Sequence, residues 1–235
     1  MRKKRYVHVN RFTALFMVLL VGLISVYAWE SGSKVDLEKK LDEVVVIMVD
    51  DGAGNKSTGT GFFFNNSGCV MTAFHVIASH GNRKNKITIL LRGDSNPYPA
   101  NALTGNGYLD VAIICSPKIS RPGLRIINTE GLKQGDNVWA LGHPAGRNWN
   151  MTNGIISRLS YKMHDFNKSW MPRYDIFTTA FIAWGNSGGP LINENGDVVG
   201  MIVEWDNPGI PYPNSMNIAV TGTDLLRYTK SIWGK

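Results

Sequence analysis

Gly185-Asn186-Ser187-Gly188-Gly189-Pro190 places a hydroxyl between glycines. A serine oxygen is a weak nucleophile until a base removes its proton and fixed N–H groups hold the oxyanion that forms. The glycines suit the second need, because they enter sharp turns and let a carbonyl approach the main chain; the amides of Gly185 and Ser187 are the candidate donors. A base and its orienting acid must come from elsewhere. Gly68-Cys69-Val70-Met71-Thr72-Ala73-Phe74-His75-Val76 reads as a strand ending on His75, and Tyr108-Leu109-Asp110-Val111-Ala112-Ile113-Ile114 as a strand opening on Asp110. A strand end holds a side chain firmly while leaving its tip open.

The elements around these residues read as β-structure. Val44 to Val49, Gly61 to Phe64, Ile87 to Leu91 and Asp110 to Cys115 form a first set of strands, with Asn65-Asn66-Ser67-Gly68 as a hairpin loop. Asn137 to Leu141, Asn153 to Leu159, Ile176 to Thr179, Pro190 to Ile192, Val198 to Val203 and Asn217 to Val220 form a second set. Asn193 to Asp197 is a turn within it. Val35 to Glu43 reads as a short amphipathic helix, Lys162 to Arg173 as a surface loop, and Thr223 to Trp233 as a closing helix capped by Thr223 or Thr221.

Thr72-Ala73-Phe74-His75, Asp110-Val111-Ala112-Ile113 and Gly185 to Leu191, in that order, resemble the three motifs of trypsin/chymotrypsin-like serine peptidases. Gly59-Thr60-Gly61-Phe62, Ala140 to Gly146 and Asn153-Gly154-Ile155-Ile156-Ser157 are similar to the bacterial HtrA branch, and the resemblance spans roughly residues 40 to 225. It implies an all-β fold of two antiparallel six-stranded barrels with the active site in the cleft between them, a C-terminal helix and an N-terminal hydrophobic helix. It also implies a Ser-His-Asp triad: Ser187 as nucleophile, His75 as base and then acid, Asp110 as its orienting partner, and an oxyanion hole at Gly185 and Ser187. The expected divisions are 1–11 basic segment, 12–29 anchor or signal, 30–43 linker, 44–118 first barrel, 119–222 second barrel and 223–235 helix.

Carried over residue by residue, Phe181, Ile182 and Ala183 line the pocket for the side chain before the cut, with Val203, Glu204 and the region Met216 to Ile218 as other walls; Ile202 to Glu204 pair with an extended substrate. No acid falls at the pocket base, so a small or apolar residue is expected there. Asn186 stands where the digestive enzymes carry the aspartate that binds a freshly cut N-terminus, so propeptide activation is not expected. About ten residues follow the last family-like segment, so no PDZ domain is expected, and the oligomeric state is left open. A membrane-tethered binding protein that keeps the fold without cutting is the alternative.

Composition limits what else the chain can be. With 235 residues, 43% hydrophobic and 10% aromatic, it can bury one large core or two adjoining small ones. Arg2, Lys3, Lys4, Arg5 and Arg11 supply five of the positive charges, and without them the net charge falls from +7 to +2, which gives a nucleic-acid surface little support. Phe12 to Trp29 is free of charge and spans about 27 Å as a helix, enough to cross a bilayer. The basic residues before it imply a cytoplasmic N-terminus and an extracytoplasmic remainder, while the resemblance to serine peptidases implies a protein or peptide as partner. The length of the run favours a retained anchor, while Val26-Tyr27-Ala28 would suit cleavage and secretion. Cys69 and Cys115 are expected as two buried thiols, a disulfide staying open if their strands adjoin in an oxidising compartment. No His/Cys cluster suggests a metal, and no cofactor is expected. His8, His80, His143 and His164 lack the context of His75 and read as structural or solvated.

Overall fold

A computed structural model describes residues 35–64, 68–78, 85–146, 149–166, 169–203 and 217–234, with the backbone alone at 145, 161–166 and 169–172. The elements below lie in the compact unit Asp36–Lys235. The apolar run 12–29 lies outside the described residues; among those described, no helix is long and apolar enough to cross a membrane.

Strands β1 (Val44–Asp50), β2 (Lys56–Phe63), β3 (Cys69–Thr72), β4 (Lys86–Leu90), β5 (Tyr98–Asn106) and β6 (Val111–Cys115) close one antiparallel barrel in the order β1-β2-β3-β6-β5-β4. Strands β7 (Asn137–Gly142), β8 (Asn150–Phe166), β9 (Ser169–Thr178), β10 (Pro190–Ile192), β11 (Val198–Val203) and β12 (Ile218–Thr221) close the other, in the order β10-β11-β12-β9-β8-β7. This is the expected trypsin-like fold. Closure removes the unpaired edges that an open sheet would expose.

The hydrophobic pattern explains where each barrel is filled. Ile47, Phe62, Val70, Met71, Ile89 and Ile113 fill the first barrel, and the same cluster continues through Leu141, Met201 and Val203 to the C-terminal helix. Val138, Ile156, Ile176, Leu191, Val199 and Ile202 form a separate core inside the second barrel. Strand β11 is buried at every position because Met201 and Val203 face one cluster and Val199 and Ile202 the other. That is why it reads as a continuous apolar run rather than an alternation.

Helix α1 (Phe74–Ala78) follows β3, and α2 (Gly222–Trp233) ends the described chain. Thr221 caps α2, its hydroxyl accepting the Asp224 amide at 3.3 Å, and Gly234 closes it in the left-handed conformation. Leu225 and Tyr228 bury the helix's inner face.

Several sequence expectations change. The opening helix is a 3-10 segment, Glu38–Glu43. The surface loop at Lys162 to Arg173 is the paired end of a long β8–β9 hairpin. Strand β5 was not expected. Cys69 and Cys115 are joined: β3 and β6 are neighbours, Cys69 lies opposite Cys115 with Cα atoms 4.1 Å apart, and the pair forms a disulfide.

Candidate active site

His75 does not end a strand. Strand β3 stops at Thr72, and the chain turns through Ala73 into α1, because the Phe74 amide donates to the Asp110 carbonyl at 3.1 Å and the Val76 amide to the Ala73 carbonyl at 3.2 Å. The Phe74 ring lies over Gly105, where a Cβ would stand 2.5 Å from it. Opposite, the Asn106 side-chain oxygen accepts the amides of Tyr108 and Leu109, at 2.9 and 3.0 Å, and bends the chain into Asp110. Asp110 has φ of 56°, a left-handed conformation uncommon for a residue with a Cβ. That conformation is a local cost at a place where geometry matters.

The bend serves the carboxylate. Asp110 Oδ1 accepts the His75 amide at 2.9 Å and Oδ2 meets His75 Nδ1 at 2.6 Å. One carboxylate thus fixes both the backbone and the ring of the histidine. With Nδ1–H donating, the unprotonated nitrogen is Nε2, on the far side of the ring. The Asp110 side chain is 12% exposed and that of His75 44%, so the acid is shielded while the imidazole reaches outward. From the second barrel, Arg173 donates to the Tyr108 carbonyl at 3.1 Å and pairs with buried Asp175 at 2.7 Å, bracing the turn before Asp110.

Ser187 sits in the turn before β10, almost buried beside Asn186. The Asn186 amide donates to the Ala183 carbonyl at 3.0 Å, and Gly185 has φ of 99°. A positive φ at the third position of such a turn is the type II arrangement, which favours glycine. Gly188 also has positive φ, and a Cβ there would stand 2.2 Å from the Thr60 carbonyl and 2.7 Å from the Ala73 nitrogen. The serine turn is therefore pressed against the first barrel two residues from His75. A Cβ at Gly189 would meet the Leu141 carbonyl at 2.2 Å, and one at Gly142 the Asn186 side chain at 2.5 Å. The amides of Asn186, Gly188 and Gly189 donate to Ala183, Ile202 and Asn186. Among the described residues, those of Gly185 and Ser187 have no acceptor.

The expected pocket residues separate. Phe181 is 64% exposed, its carbonyl accepting the Thr152 hydroxyl at 2.7 Å, whereas Ile182 is buried in the second core. Ala183 closes the serine turn. Ile202 and Val203 are buried; the Ile202 amide and carbonyl bond Gly189 and Gly188 of the serine turn, each within 2.8 Å. Glu204 and Met216 lie outside the described residues, as do His8 and His80 and the side chain of His164.

Sequence reasoning assigned no part in the site to Trp184, 75% exposed beside Gly185, or to Thr60. The Thr60 amide donates to the Ser187 carbonyl at 2.9 Å, and its hydroxyl donates to the Gly185 carbonyl at 2.5 Å while accepting the His143 amide at 3.2 Å. The Gly59-Thr60-Gly61 motif was the available signal. His143 is structural: its Nδ1 accepts the Trp149 amide at 3.0 Å, and the Trp149 indole donates to the Val44 carbonyl at 3.1 Å. Burial lowers its pKa to about 4. Among the described residues, no three His, Cys, Asp or Glu side chains are grouped to hold a metal ion.

Residues 59–201 match the model of the trypsin-like peptidase domain. Over 177 residues, 73% of the chain, it is 33% identical to a probable periplasmic serine endoprotease of DegP-like type from Pseudomonas fulva, of which it covers 35%. Over 146 residues, 61% of the chain, it is 36% identical to a protein of the same description from Chlamydia pneumoniae, of which it covers 28%. The chain thus matches only about a third of the length of these relatives. In three dimensions, 82% of it overlays 81% of the active form of the Rv3671c protease from M. tuberculosis, with a TM-score of 0.68 at 26% identity.

Proposed function

Since the chain belongs to the trypsin-like peptidase family and has relatives of the HtrA type, we propose that it is a serine endopeptidase working through Ser187, His75 and Asp110. The carrying observation is the double hold of Asp110 on His75, ring and backbone together, across from a serine turn docked on the same barrel. His75 Nε2 takes the Ser187 proton as the oxygen attacks the scissile carbonyl. Asp110 stabilises the imidazolium, and the Gly185 and Ser187 amides receive the oxyanion. Collapse breaks the C–N bond, the amine leaving with the proton from His75, and water hydrolyses the acyl-enzyme by the reverse proton path.

The substrate is an extended segment of an extracytoplasmic protein with a small or apolar residue before the cut. Support comes from the neutral stretch Phe181 to Trp184 beside the serine and from the periplasmic description of the bacterial relatives. Because Ile202 is bonded to the serine turn, Val203 offers the pairing edge among the described residues of the expected run Ile202 to Glu204. The domain divisions given above, with the apolar run 12–29 as a membrane anchor, complete the proposal.

The test incubates the full chain, and a Ser187→Ala variant, with an unfolded protein and maps the new termini by mass spectrometry. Cuts after small or apolar residues, absent with the variant, are expected. No cleavage by the wild type, or equal cleavage by the variant, contradicts the peptidase reading, while cuts after Lys or Arg contradict only the pocket assignment.

A further inference from the structure

We propose that Thr60 is a positioning residue for the oxyanion-binding turn, an inference that rests on the peptidase reading above. Thr60 is a fully buried polar residue on β2, and a buried threonine could simply satisfy its own strand. Its bonds point elsewhere. The amide and the hydroxyl both donate out of the first barrel, to Ser187 and to Gly185. The single hydroxyl proton has no choice of direction: the His143 amide already donates to the oxygen, so the proton goes to the Gly185 carbonyl. The Thr60 carbonyl in turn accepts the Thr72 hydroxyl at 2.7 Å, tying the anchor to β3, three residues before His75.

The two carbonyls held belong to alternate peptides. The Gly185–Asn186 peptide is fixed at both ends, its oxygen on Thr60 and its N–H on Ala183; the Ser187–Gly188 peptide is fixed likewise, its oxygen on Thr60 and its N–H on Ile202. The peptides carrying the Gly185 and Ser187 amides are the ones beside them. The Asn186–Ser187 peptide lies between the two held planes and the Trp184–Gly185 peptide adjoins the first of them, so Thr60 restricts rotation of the one from both sides and of the other from one, and orders the two oxyanion donors without touching substrate. It also sets the distance between the nucleophile and the base, since one strand-borne residue anchors the serine turn to the histidine's barrel.

The test compares full-chain wild type with Thr60→Val, Thr60→Ala and Thr60→Ser on a chromogenic peptide with alanine or valine before the cut, with melting curves alongside. Removing one direct oxyanion donor costs about 10²- to 10³-fold in kcat, so loss of its positioner is expected to cost about 10- to 100-fold. The valine and alanine variants should lose kcat in that range with KM within about twofold, and serine, which restores the hydroxyl, should return kcat to within about threefold. If valine does not fold, alanine reads the same comparison. Unchanged kcat in the valine or alanine variant, loss confined to KM, no rescue by serine, or unfolding of both valine and alanine variants overturns the inference in favour of a scaffold role. Kinetics are read on a peptide spanning a cut mapped in the unfolded protein if the alanine or valine peptide is not cleaved. A wild type that cleaves neither peptide nor protein overturns the peptidase reading and this inference with it, whereas a cleaving wild type with a normal valine variant overturns this inference alone.

Discussion

The two halves of the site are held in different ways. The direct bonds to the His75–Asp110 pair come from within the first barrel: Asp110 holds the histidine's ring and amide, and its carbonyl holds Phe74. The strand that leads to His75 and the strand that follows Asp110 are also joined by the Cys69–Cys115 disulfide. The Ser187 turn, by contrast, is held from both barrels: by Ile202 and Ala183 in its own, and by Thr60 in the other. In the proposed mechanism the base-acid pair can therefore stay assembled while the nucleophile loses its place, which puts the control of activity at the seam between the barrels.

The largest effects test each half in turn. Ser187→Ala is expected to lower kcat by at least about 10⁴-fold, and Asp110→Asn by a similar factor through the wrong imidazole tautomer, both read by steady-state kinetics. Replacing both cysteines with serine is expected to cost about 2–4 kcal/mol of stability in a denaturant titration, because the disulfide closes a separation of 46 residues. Its kcat at low temperature should stay near that of the wild type, since the Asp110 bonds do not pass through sulfur; a large fall would break the view that the base-acid half holds itself.

The seam has its own sensitivity to acid. His143 has a folded pKa of about 4 against 6.5 for the free side chain, so the folded state resists a proton that the unfolded state accepts. Its contribution is complete above pH 6.5 and is lost as pH falls towards 4, to an extent of about 3 kcal/mol. Denaturation of His143→Gln across that range should show a shallower acid loss than the wild type. The smallest effect is expected far from both halves: Thr221→Ala should remove about 1 kcal/mol of helix capping and leave kcat unaltered.

What could be read from the sequence follows the same division. Strands β10 and β11 have the expected bounds, because apolar runs are local signals, and the motifs around His75 and Asp110 pointed to the contact that joins the two at 2.6 Å. Strand β5 could not be read, since Pro99, Gly105 and the asparagines Asn101 and Asn106 interrupt a mostly exposed run. The far part of the β8–β9 hairpin reads as a loop because Trp170, Met171 and Pro172 stand among charges there, and among the described residues each strand beyond the barrel pairs with the other alone. Cysteine spacing does not encode adjacency, so the disulfide awaited the β3–β6 register. The part played by Thr60 depends on contacts 125 residues apart, which no local pattern reports.

The central claim is that Ser187 is an activated nucleophile, and the most direct measurement is covalent labelling of the full chain by a fluorophosphonate, with the adduct located by mass spectrometry. The account predicts one adduct per chain, on Ser187, lost when His75 is replaced by alanine. A chain that takes no label, or one labelled at another residue with Ser187 untouched, contradicts it.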